Sequence, residues 1–215
     1  HGESLQWVQL TTAGGETVLN MPAVREANLR LTTAASVHRI QAAEHVMALT
    51  LALSRRLHRC MQAQFDREWV GDRVGPEMGE LYGQTMGIVA ISKIGEEIAA
   101  RAKAFGMHVL ATRKHPDQQY LFVDQVLPAE ELDEMLGQCD VVIVAVPLTG
   151  ETRRLIGERQ FKVMRRSALL VNASRSAVVD ERAMIKALKD GRIAGAGLDV
   201  FETEPLPDDS SLWHM

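Results

Sequence analysis

Five continuous apolar segments, separated by helical patterns, occupy the chain from residue 86 onward and restrict the possible folds more than any other feature. The segments are MGIVAI (86–91), HVLATR (108–113), VVIVAV (141–146), ALLVNA (168–173) and AGAGLDV (194–200). Strands that are apolar on both faces are buried on both faces, as in a parallel sheet covered by helices. The sequence therefore predicts an α/β fold with a doubly wound, Rossmann-type parallel sheet.

The helical patterns between these segments support that prediction. They cover 94–105, 128–137, 158–164 and 180–190. Gly106 and Gly191 directly follow two of them, and glycine is the residue that most often ends a helix. Each of the first four predicted strands is therefore followed by a short helix and a return to the sheet.

The first third of the chain has a different organisation. Residues 5–10 and 28–33 read as two short strands, with Gly14-Gly15 and a brief polar helix or loop between them. No proline or glycine lies between Pro22 and Gly71. Within that span Ile40, Ala43, Met47 and Leu51 recur at steps of three and four, which predicts one long helix from about 37 to 65, capped by Ser36. A polar loop follows over 66–82.

Composition excludes several classes of partner. The 215-residue chain has a net charge of −4 and a pI near 6.0, which does not favour nucleic acid or a membrane surface as a partner. The longest apolar run, 141–148, is too short to cross a bilayer. The two cysteines, Cys60 and Cys139, have no disulfide-like or metal-binding spacing, so we expect free thiols, a cytoplasmic location and no metal site.

The turn between the first apolar segment and its helix is where a dinucleotide-binding loop would lie. The fingerprint G-x-G-x-x-G would place glycines at 90, 92 and 95, but the chain has Ala90, Ser92 and Gly95. The first glycine makes the tight turn, the second admits the pyrophosphate, and the third allows close packing of helix on strand. The motif alone leaves open an ordinary β–α turn that binds no ligand.

The end of the second apolar segment indicates which dinucleotide would bind. Sites for NAD commonly carry an acidic residue here, whereas sites for NADP carry arginine. The chain has Arg113 followed by Lys114, and this pair suits a 2′-phosphate. The prediction is NADP in preference to NAD, with NAD possible, and the alternative is a basic surface loop without a ligand.

Three longer blocks carry a specific resemblance. VPLTGETRRLIG (146–157), LLVNASRSAVVDERAMIKAL (169–188) and GAGLDVFETEPLP (195–207) resemble successive signatures of the D-isomer-specific 2-hydroxyacid dehydrogenases, and of glyoxylate and hydroxypyruvate reductases among them. The resemblance extends from about Gln6 to the end of the chain. It implies an oxidoreductase that moves a hydride between NAD(P)H and a small 2-oxo or 2-hydroxy acid, and a homodimer supported by the long helix.

The resemblance also implies roles for individual residues. Arg175 would bind the substrate carboxylate and carbonyl and contact the cofactor, and Glu204 would raise the pKa of a catalytic histidine. Gly14 would hold the substrate carboxylate through backbone amides. The other cofactor contacts that the resemblance implies are Lys93, Ile94, Val146, Ala173, Ser174 and Asp199, and they add to Ser92, Gly95, Arg113 and Lys114 from the turn and the basic pair.

The sequence departs from the family pattern at several glycines. Ser36, Ala90, Ser92 and Ser176 stand where the family has glycine, and Gly15 stands where a bulkier apolar residue is usual. Because glycine supplies positive φ or close approach, these changes predict weakened cofactor binding.

The resemblance further implies a domain division and an incomplete site. Residues 1–36 would be a remnant of a flavodoxin-like substrate domain, and residues 37–215 a C-terminally truncated NAD(P)-binding domain. The family's catalytic histidine follows one more strand, so we expect this chain alone to be inactive or impaired. We assign no role to His214 and expect His38, His45 and His58 to be surface or packing residues. The alternative is a non-catalytic remnant that senses nucleotides or binds proteins.

Overall fold

A computed structural model describes residues 5–12, 14–27, 29–34 and 37–215 of the chain. It contains two parallel sheets, one of two strands and one of six. Two predicted positions lie outside the described residues. They are Ser36, the expected helix cap, and Asn28, at the start of the second expected strand.

The two-stranded sheet is formed by the first two expected strands. β1 spans Trp7–Gln9 and β2 spans Arg30–Thr32, with Trp7 opposite Arg30. Between them lie two short helices, α1 at Glu16–Leu19 and α2 at Pro22–Glu26. Proline near the start of α2 is favourable because the first helical amides have no partner within the helix.

The long helix predicted over 37–65 is wrong in one respect, because it consists of two helices. α3 covers Arg39–Ser54 and α4 covers Leu57–Asp66. The chain turns at Arg56, which has a left-handed backbone with φ 52°. The Arg55 and Arg56 guanidinium groups donate to the carbonyls of Gly79 and Glu77, at 3.0 and 3.3 Å. These bonds to a distant segment accompany the break, and no glycine or proline marks it in the sequence.

The buried row of α3 also differs from the expected row. Ala43 and Met47 are buried as predicted, but Ile40 is exposed and Leu51 is only partly buried. The remaining buried positions of α3 are Val46, Thr50 and Ser54, and Thr50 Oγ1 donates to the carbonyl of Val46 at 2.8 Å. Small side chains on this row allow α3 to pack closely.

The six-stranded sheet and its helices follow in alternation. After α5 (Gly71–Val74), the elements are β3 (Thr85–Val89), α6 (Lys93–Ala104), β4 (His108–Arg113), β5 (Gln125–Pro128), α7 (Leu132–Gln138), β6 (Val141–Val144), α8 (Glu158–Val163), β7 (Leu169–Asn172), α9 (Glu181–Lys189) and β8 (Gly195–Leu198). Short 3₁₀ turns lie at 75–77, 129–131, 176–178 and 211–214. All pairings in the sheet are parallel, in the order β5-β4-β3-β6-β7-β8.

Two apolar cores lie on opposite faces of this sheet. One is formed by α3 and α6 against strand residues such as Met86 and Ile88. The other is formed by α7, α8 and α9 against residues such as Val142 and Leu170. A sheet covered on both faces requires strands that are apolar on both faces, and this confirms the predicted doubly wound fold.

One strand of the sheet was absent from the sequence prediction. The segment QVLP forms β5 at the sheet edge, and the helix expected from residue 128 begins as a 3₁₀ turn at Ala129 before α7. An edge strand needs fewer apolar residues, and proline is acceptable there, so its pattern is weak. The six observed strands therefore exceed the five apolar segments by this short edge strand.

Both cysteines are free, as expected. Cys139 is completely buried, and its Sγ lies 3.0 Å from the carbonyl oxygen of Met135. Burial, followed by the charge of Asp140, raises the pKa of the Cys139 thiol to about 12. A side chain at Gly87 would place its Cβ 2.4 Å from Cys139 Sγ, so the glycine is required for the thiol to fit against β3.

Candidate functional site

The residues assigned to cofactor binding gather at one edge of the six-stranded sheet. Because the strands are parallel, their carboxyl ends share that edge, and each candidate segment lies at or just after such an end. The chain runs outward from β3 through β4 to β5, and then returns to place β6 on the other side of β3. Ligands of open α/β sheets bind at such a change of direction. The crevice between the ends of β3 and β6 is therefore the candidate site.

The loop after β3 keeps the conformation of a dinucleotide-binding turn without its first glycine. Ala90 has φ 51°, in the left-handed region that glycine normally occupies. Its amide donates to Thr112 Oγ1, and the Ile91 amide donates to the Thr112 carbonyl, both at 3.0 Å. These two bonds from the end of β4 hold the turn.

Ser92, at the second glycine position, caps helix α6. Its backbone is extended and needs no glycine, and its Oγ accepts from the Gly95 amide at 3.4 Å. The hydroxyl also donates to the Ala145 carbonyl at 3.4 Å, which joins the ends of β3 and β6. The amides of Lys93 and Ile94 have no acceptor within the described part of the chain. These two amides point from the first turn of α6, where a helix favours anions.

Gly95 fulfils the packing role expected of the third glycine. A Cβ at this position would lie 3.0 Å from Ile91 Cγ1 and 3.1 Å from Ile88 Cγ2. Both contacts are tighter than ordinary van der Waals separations. The absence of a side chain therefore allows α6 to start directly against the end of β3.

The two basic residues after β4 have different surroundings. The Arg113 guanidinium lies over the Tyr120 ring, 5.4 Å from its centroid. Lys114 Nζ pairs with Glu151 Oε2 at 3.0 Å, and both of these side chains are exposed. Tyr120 and Lys93 also line a cavity of about 310 Å³ between α6 and residues 118–123. Arg113 is thus oriented by an aromatic ring beside a cavity that borders the first turn of α6.

Asn172 organises the segment that contains the proposed substrate-binding arginine. It ends β7 and is buried, and its Oδ1 accepts from the amide and the hydroxyl of Ser174, at 3.1 and 2.9 Å. Its Nδ2 donates to the Arg175 carbonyl at 3.2 Å, while Arg175 Nη1 donates to the Ser174 carbonyl at 2.8 Å. No role for Asn172 is predicted from the sequence. A polar residue at the end of a buried apolar strand is nevertheless a signal that could have identified it.

Asp199, directly after β8, is paired with a residue that was expected to have no role in a site. Its Oδ1 lies 3.2 Å from His45 Nε2 on α3, and each side chain is about half exposed. The Asp199 amide also donates to the Asn172 carbonyl at 3.0 Å. Describing His45 as a surface or packing residue is therefore incomplete.

The remaining candidates are not all brought together. Glu204 Oε1 accepts from the Phe201 amide at 3.0 Å. Val146 is buried at the end of β6. Gly14 lies in the two-stranded unit, where its carbonyl accepts from Thr12 Oγ1 at 2.8 Å. The structure therefore does not test its assignment to the substrate.

The described residues contain no cluster of three histidine, cysteine or acidic side chains arranged to bind a metal ion. Over the same residues, no helix combines the length and the apolar character needed to cross a bilayer.

Comparison with known proteins gives the family. The sequence profile described as "D-isomer specific 2-hydroxyacid dehydrogenase, NAD binding domain" matches residues 47–215. The chain is 43% identical over 175 residues to a glyoxylate reductase of Korarchaeum cryptofilum, covering 79% of this chain and 52% of that protein. It is 42% identical over 178 residues to glyoxylate/hydroxypyruvate reductase B of Escherichia fergusonii, covering 80% and 54%.

A solved structure agrees with these sequence relationships. A D-isomer specific 2-hydroxyacid dehydrogenase family protein from Aeromonas salmonicida superimposes with a TM-score of 0.86 and 34% identity, over 97% of this chain and 65% of that chain. The chain spans about half the length of the curated relatives it matches. The profile match, the sequence identities and the shared fold place this chain in the D-isomer-specific 2-hydroxyacid dehydrogenase family.

Proposed function

We propose that this chain forms the dinucleotide-binding part of an oxidoreductase that transfers hydride between NAD(P)H and a small 2-oxo or 2-hydroxy acid such as glyoxylate. The convergence of Ser92, Asn172 and Asp199 at the carboxyl edge of the sheet carries this proposal. The names of the glyoxylate and glyoxylate/hydroxypyruvate reductases that it resembles support the substrate class.

The domain division of the sequence analysis remains part of this proposal. Residues 1–36 would belong to a substrate domain of flavodoxin-like fold, and residues 37–215 to the NAD(P)-binding domain. The two-stranded sheet ends at Thr32, and the matching family profile begins at residue 47, which supports a boundary between these positions.

The residues of the crevice fit a dinucleotide. The Lys93 and Ile94 amides would hold the pyrophosphate at the start of α6, with Ser92 and Gly95 shaping the turn. The segments at Val146 and at Ala173–Ser174 would line the cleft, and Asp199 would contact the nicotinamide end. A bound nicotinamide cofactor supplies the hydride, and the protein supplies orientation and charge.

Arg175 and Glu204 would carry the polar part of the chemistry. A guanidinium presents five N–H donors in a planar fork, so Arg175 would bind the substrate carboxylate and stabilise the developing alkoxide. Glu204 is held in place by the Phe201 amide, and its second oxygen would pair with the family's histidine. Gly14 would contribute backbone amides for the substrate carboxylate.

We further propose that the site prefers NADP to NAD, with NAD as a possible cofactor. Arg113 lies at the carboxyl end of β4, and its stacking on Tyr120 fixes a guanidinium plane there. Lys114 forms an exposed pair with Glu151, and such pairs contribute little stability. Both cations are therefore available for a 2′-phosphate.

Parallel titrations with NADPH and NADH, followed by nicotinamide fluorescence, test the cofactor site. We expect tighter binding of NADPH, and a loss of about tenfold or more in NADPH affinity in Arg113→Ala, because a charge-assisted bond to phosphate is lost. NADH affinity should stay unchanged in that variant. The matched control is Arg166→Ala, since Arg166 is exposed just before β7, at the opposite edge of the sheet.

Each result has a definite meaning. Equal loss of NADPH and NADH affinity in Arg113→Ala would contradict the 2′-phosphate assignment. A folded chain that binds neither dinucleotide would contradict the cofactor site itself and favour a non-catalytic module.

Glyoxylate reduction, followed by the absorbance of NAD(P)H, tests the substrate assignment. Relative to the turnover that the wild-type chain retains, Arg175→Ala should lower kcat/KM by about 100-fold or more, because an oriented charge facing the developing oxyanion is lost. Arg175→Lys should retain part of the rate, because the charge remains while the planar fork is lost. Arg166→Ala again serves as the control. A wild-type chain without turnover would show that these 215 residues do not perform the reaction alone.

We also propose a homodimer formed through α4. Leu57, Met61 and Phe65 recur every four residues along α4 and are exposed, and the exposed Trp69 lies three residues beyond the end of the helix. Phe65 and Trp69 are 77% and 91% exposed. A contiguous apolar row on a helix marks an interaction surface, and a surface that meets its own copy gives a closed twofold dimer.

Sedimentation velocity tests this assembly. We expect a species of twice 23.8 kDa for the wild type and a shift to the monomer in Phe65→Glu. Leu121→Glu is the control, because Leu121 is 89% exposed but lies outside α4. A wild-type chain that sediments as a monomer at micromolar concentration would exclude this dimer.

A further inference from the structure

The His45–Asp199 pair is the feature of the site that the family resemblance and the sequence patterns leave without a role. It joins the middle of α3 to the end of β8, with Nε2 and Oδ1 3.2 Å apart. We propose that His45 is a positioning residue that orients the Asp199 carboxylate for the nicotinamide end of the cofactor. This inference rests on the proposed function, because it takes Asp199 as a cofactor contact.

The backbone of Asp199 is fixed independently of His45. Its amide donates to the Asn172 carbonyl at 3.0 Å, and Asn172 is the buried residue that holds Ser174 and the Arg175 carbonyl. The direction of the Asp199 side chain is a separate matter. Over the described residues, His45 is the one side chain recorded within ion-pairing distance of this half-exposed carboxylate. His45 therefore restricts the Asp199 side chain to fewer rotamers than a solvent-exposed carboxylate would otherwise adopt.

Helix α3 provides a rigid base for that selection. On either side of His45, Ala43, Val46 and Met47 are buried in the core shared with α6 and the sheet. The backbone of His45 is consequently held by packing, while its imidazole extends to the carboxyl edge. A side chain that extends from a packed helix restrains its partner better than one on a loop.

The Asp199 carboxylate has acceptor sites for a ligand besides the oxygen near His45. An ionised carboxylate has two oxygens and about four acceptor sites, and His45 Nε2 lies near Oδ1 alone. Asp199 Oδ2 remains available to accept an N–H from a carboxamide, the polar group of the nicotinamide ring. An oriented carboxylate loses less entropy when it binds that group than a freely rotating one.

Binding of two ligands by the full 215-residue chain distinguishes positioning from a general structural effect. The first ligand is whichever of NADH and NADPH binds the wild type more tightly. The second is the matching fragment without nicotinamide, which is ADP-ribose or its 2′-phosphate. We expect His45→Ala to weaken binding of the dinucleotide about two- to fivefold and to leave fragment binding unchanged.

Two further variants complete the experiment. His45→Gln should restore dinucleotide affinity, because the glutamine amide can present an N–H near the position of Nε2. His108→Ala is the matched control, since His108 Nδ1 also lies 3.2 Å from an aspartate, Asp124, but at the amino edge of the sheet. This control should change neither affinity. Circular dichroism verifies that each variant is folded.

The outcomes separate this inference from the proposed function. Unchanged dinucleotide affinity in His45→Ala, or equal loss for both ligands, would overturn the positioning role while leaving the cofactor site intact. Failure of His45→Gln to restore affinity would also overturn it. A wild-type chain that binds neither ligand would overturn the cofactor site, and with it this inference.

Discussion

Ala90, in the nucleotide loop, adopts a strained left-handed backbone conformation. Its φ of 51° lies where an L-residue with a Cβ is strained by about 1–2 kcal/mol. The conformation persists because Thr112 accepts hydrogen bonds from the amides of both Ala90 and Ile91. Ser92, by contrast, has an extended backbone, and Ser176 is not among the described residues with positive φ. Of the glycine replacements that the structure describes in this crevice, only Ala90 adopts positive φ.

Replacing Ala90 by glycine should stabilise the chain. Relief of the left-handed strain exceeds the greater entropy of glycine in the unfolded state, so we expect the free energy of unfolding to rise by about 0.5–1 kcal/mol. Urea unfolding followed by circular dichroism measures the change. Ala100→Gly, within α6, is the control and should lower stability by about 1 kcal/mol. Loss of stability in Ala90→Gly would show that the strain is not present.

Helix α9 shows what short sequence signals determine at the scale of an element. Asp180 precedes it, and its Oδ1 accepts from the Ala183 amide at 3.0 Å. Gly191 follows it with φ 60°, a conformation that glycine adopts without strain. Both ends were therefore predictable to within a residue. The end of α3 at Ser54 had no such signal, because the turn at Arg56 is compensated by bonds to residues 77–79.

Loss of the Asp180 cap should destabilise α9 and the chain with it. We expect Asp180→Ala to lower the free energy of unfolding by about 1 kcal/mol, because the Ala183 amide loses its acceptor. Asp180→Asn keeps an acceptor and should retain most of the stability. This second variant also removes the charge 3.9 Å from Arg154 Nε, so it separates capping from ion pairing. Equal losses in the two variants would contradict the capping explanation.

At the scale of the whole molecule, ionised side chains connect elements that are distant in sequence. Asp124 precedes β5, and its carboxylate accepts from the Val109 amide at 2.8 Å and from Lys103 of α6 at 2.9 Å. Partial burial by itself raises the pKa of Asp124, but the bonds from Val109 and Lys103 outweigh it and lower the pKa below the ordinary value of 3.8. The ionised form therefore stabilises the folded chain.

The lowered pKa of Asp124 predicts that acid reduces the stability of the folded chain. Since the folded pKa lies below the unfolded pKa, the stabilisation is present above 3.8 and is lost as the pH falls through the folded value. Asp124→Asn should reduce stability at neutral pH, and its difference from the wild type should shrink as the pH falls below 3.8. Urea midpoints across this range measure the effect, with Asp208→Asn as an exposed control. A constant difference would contradict the linkage.

The sequence by itself determined the features that depend on local pattern. Apolar runs separated by helices determined a doubly wound parallel sheet, because only buried strands are apolar on both faces. Gly95 revealed a packing contact and Gly191 the end of a helix, since each acts on residues close to it in sequence. Long motifs in register revealed the family. These signals are read along the chain and require no knowledge of distant neighbours.

Only the tertiary structure decided the features that depend on contacts between distant segments. The turn at Arg56 and the edge strand β5 have weak local patterns, and bonds to distant segments complete them. Asn172 became central because the chain places Ser174, Arg175 and Asp199 around it. His45 reaches Asp199 because α3 packs across the ends of β7 and β8, and no spacing in the sequence encodes that approach. Side-chain partners across a sheet edge are determined by three-dimensional packing, which the linear pattern does not contain.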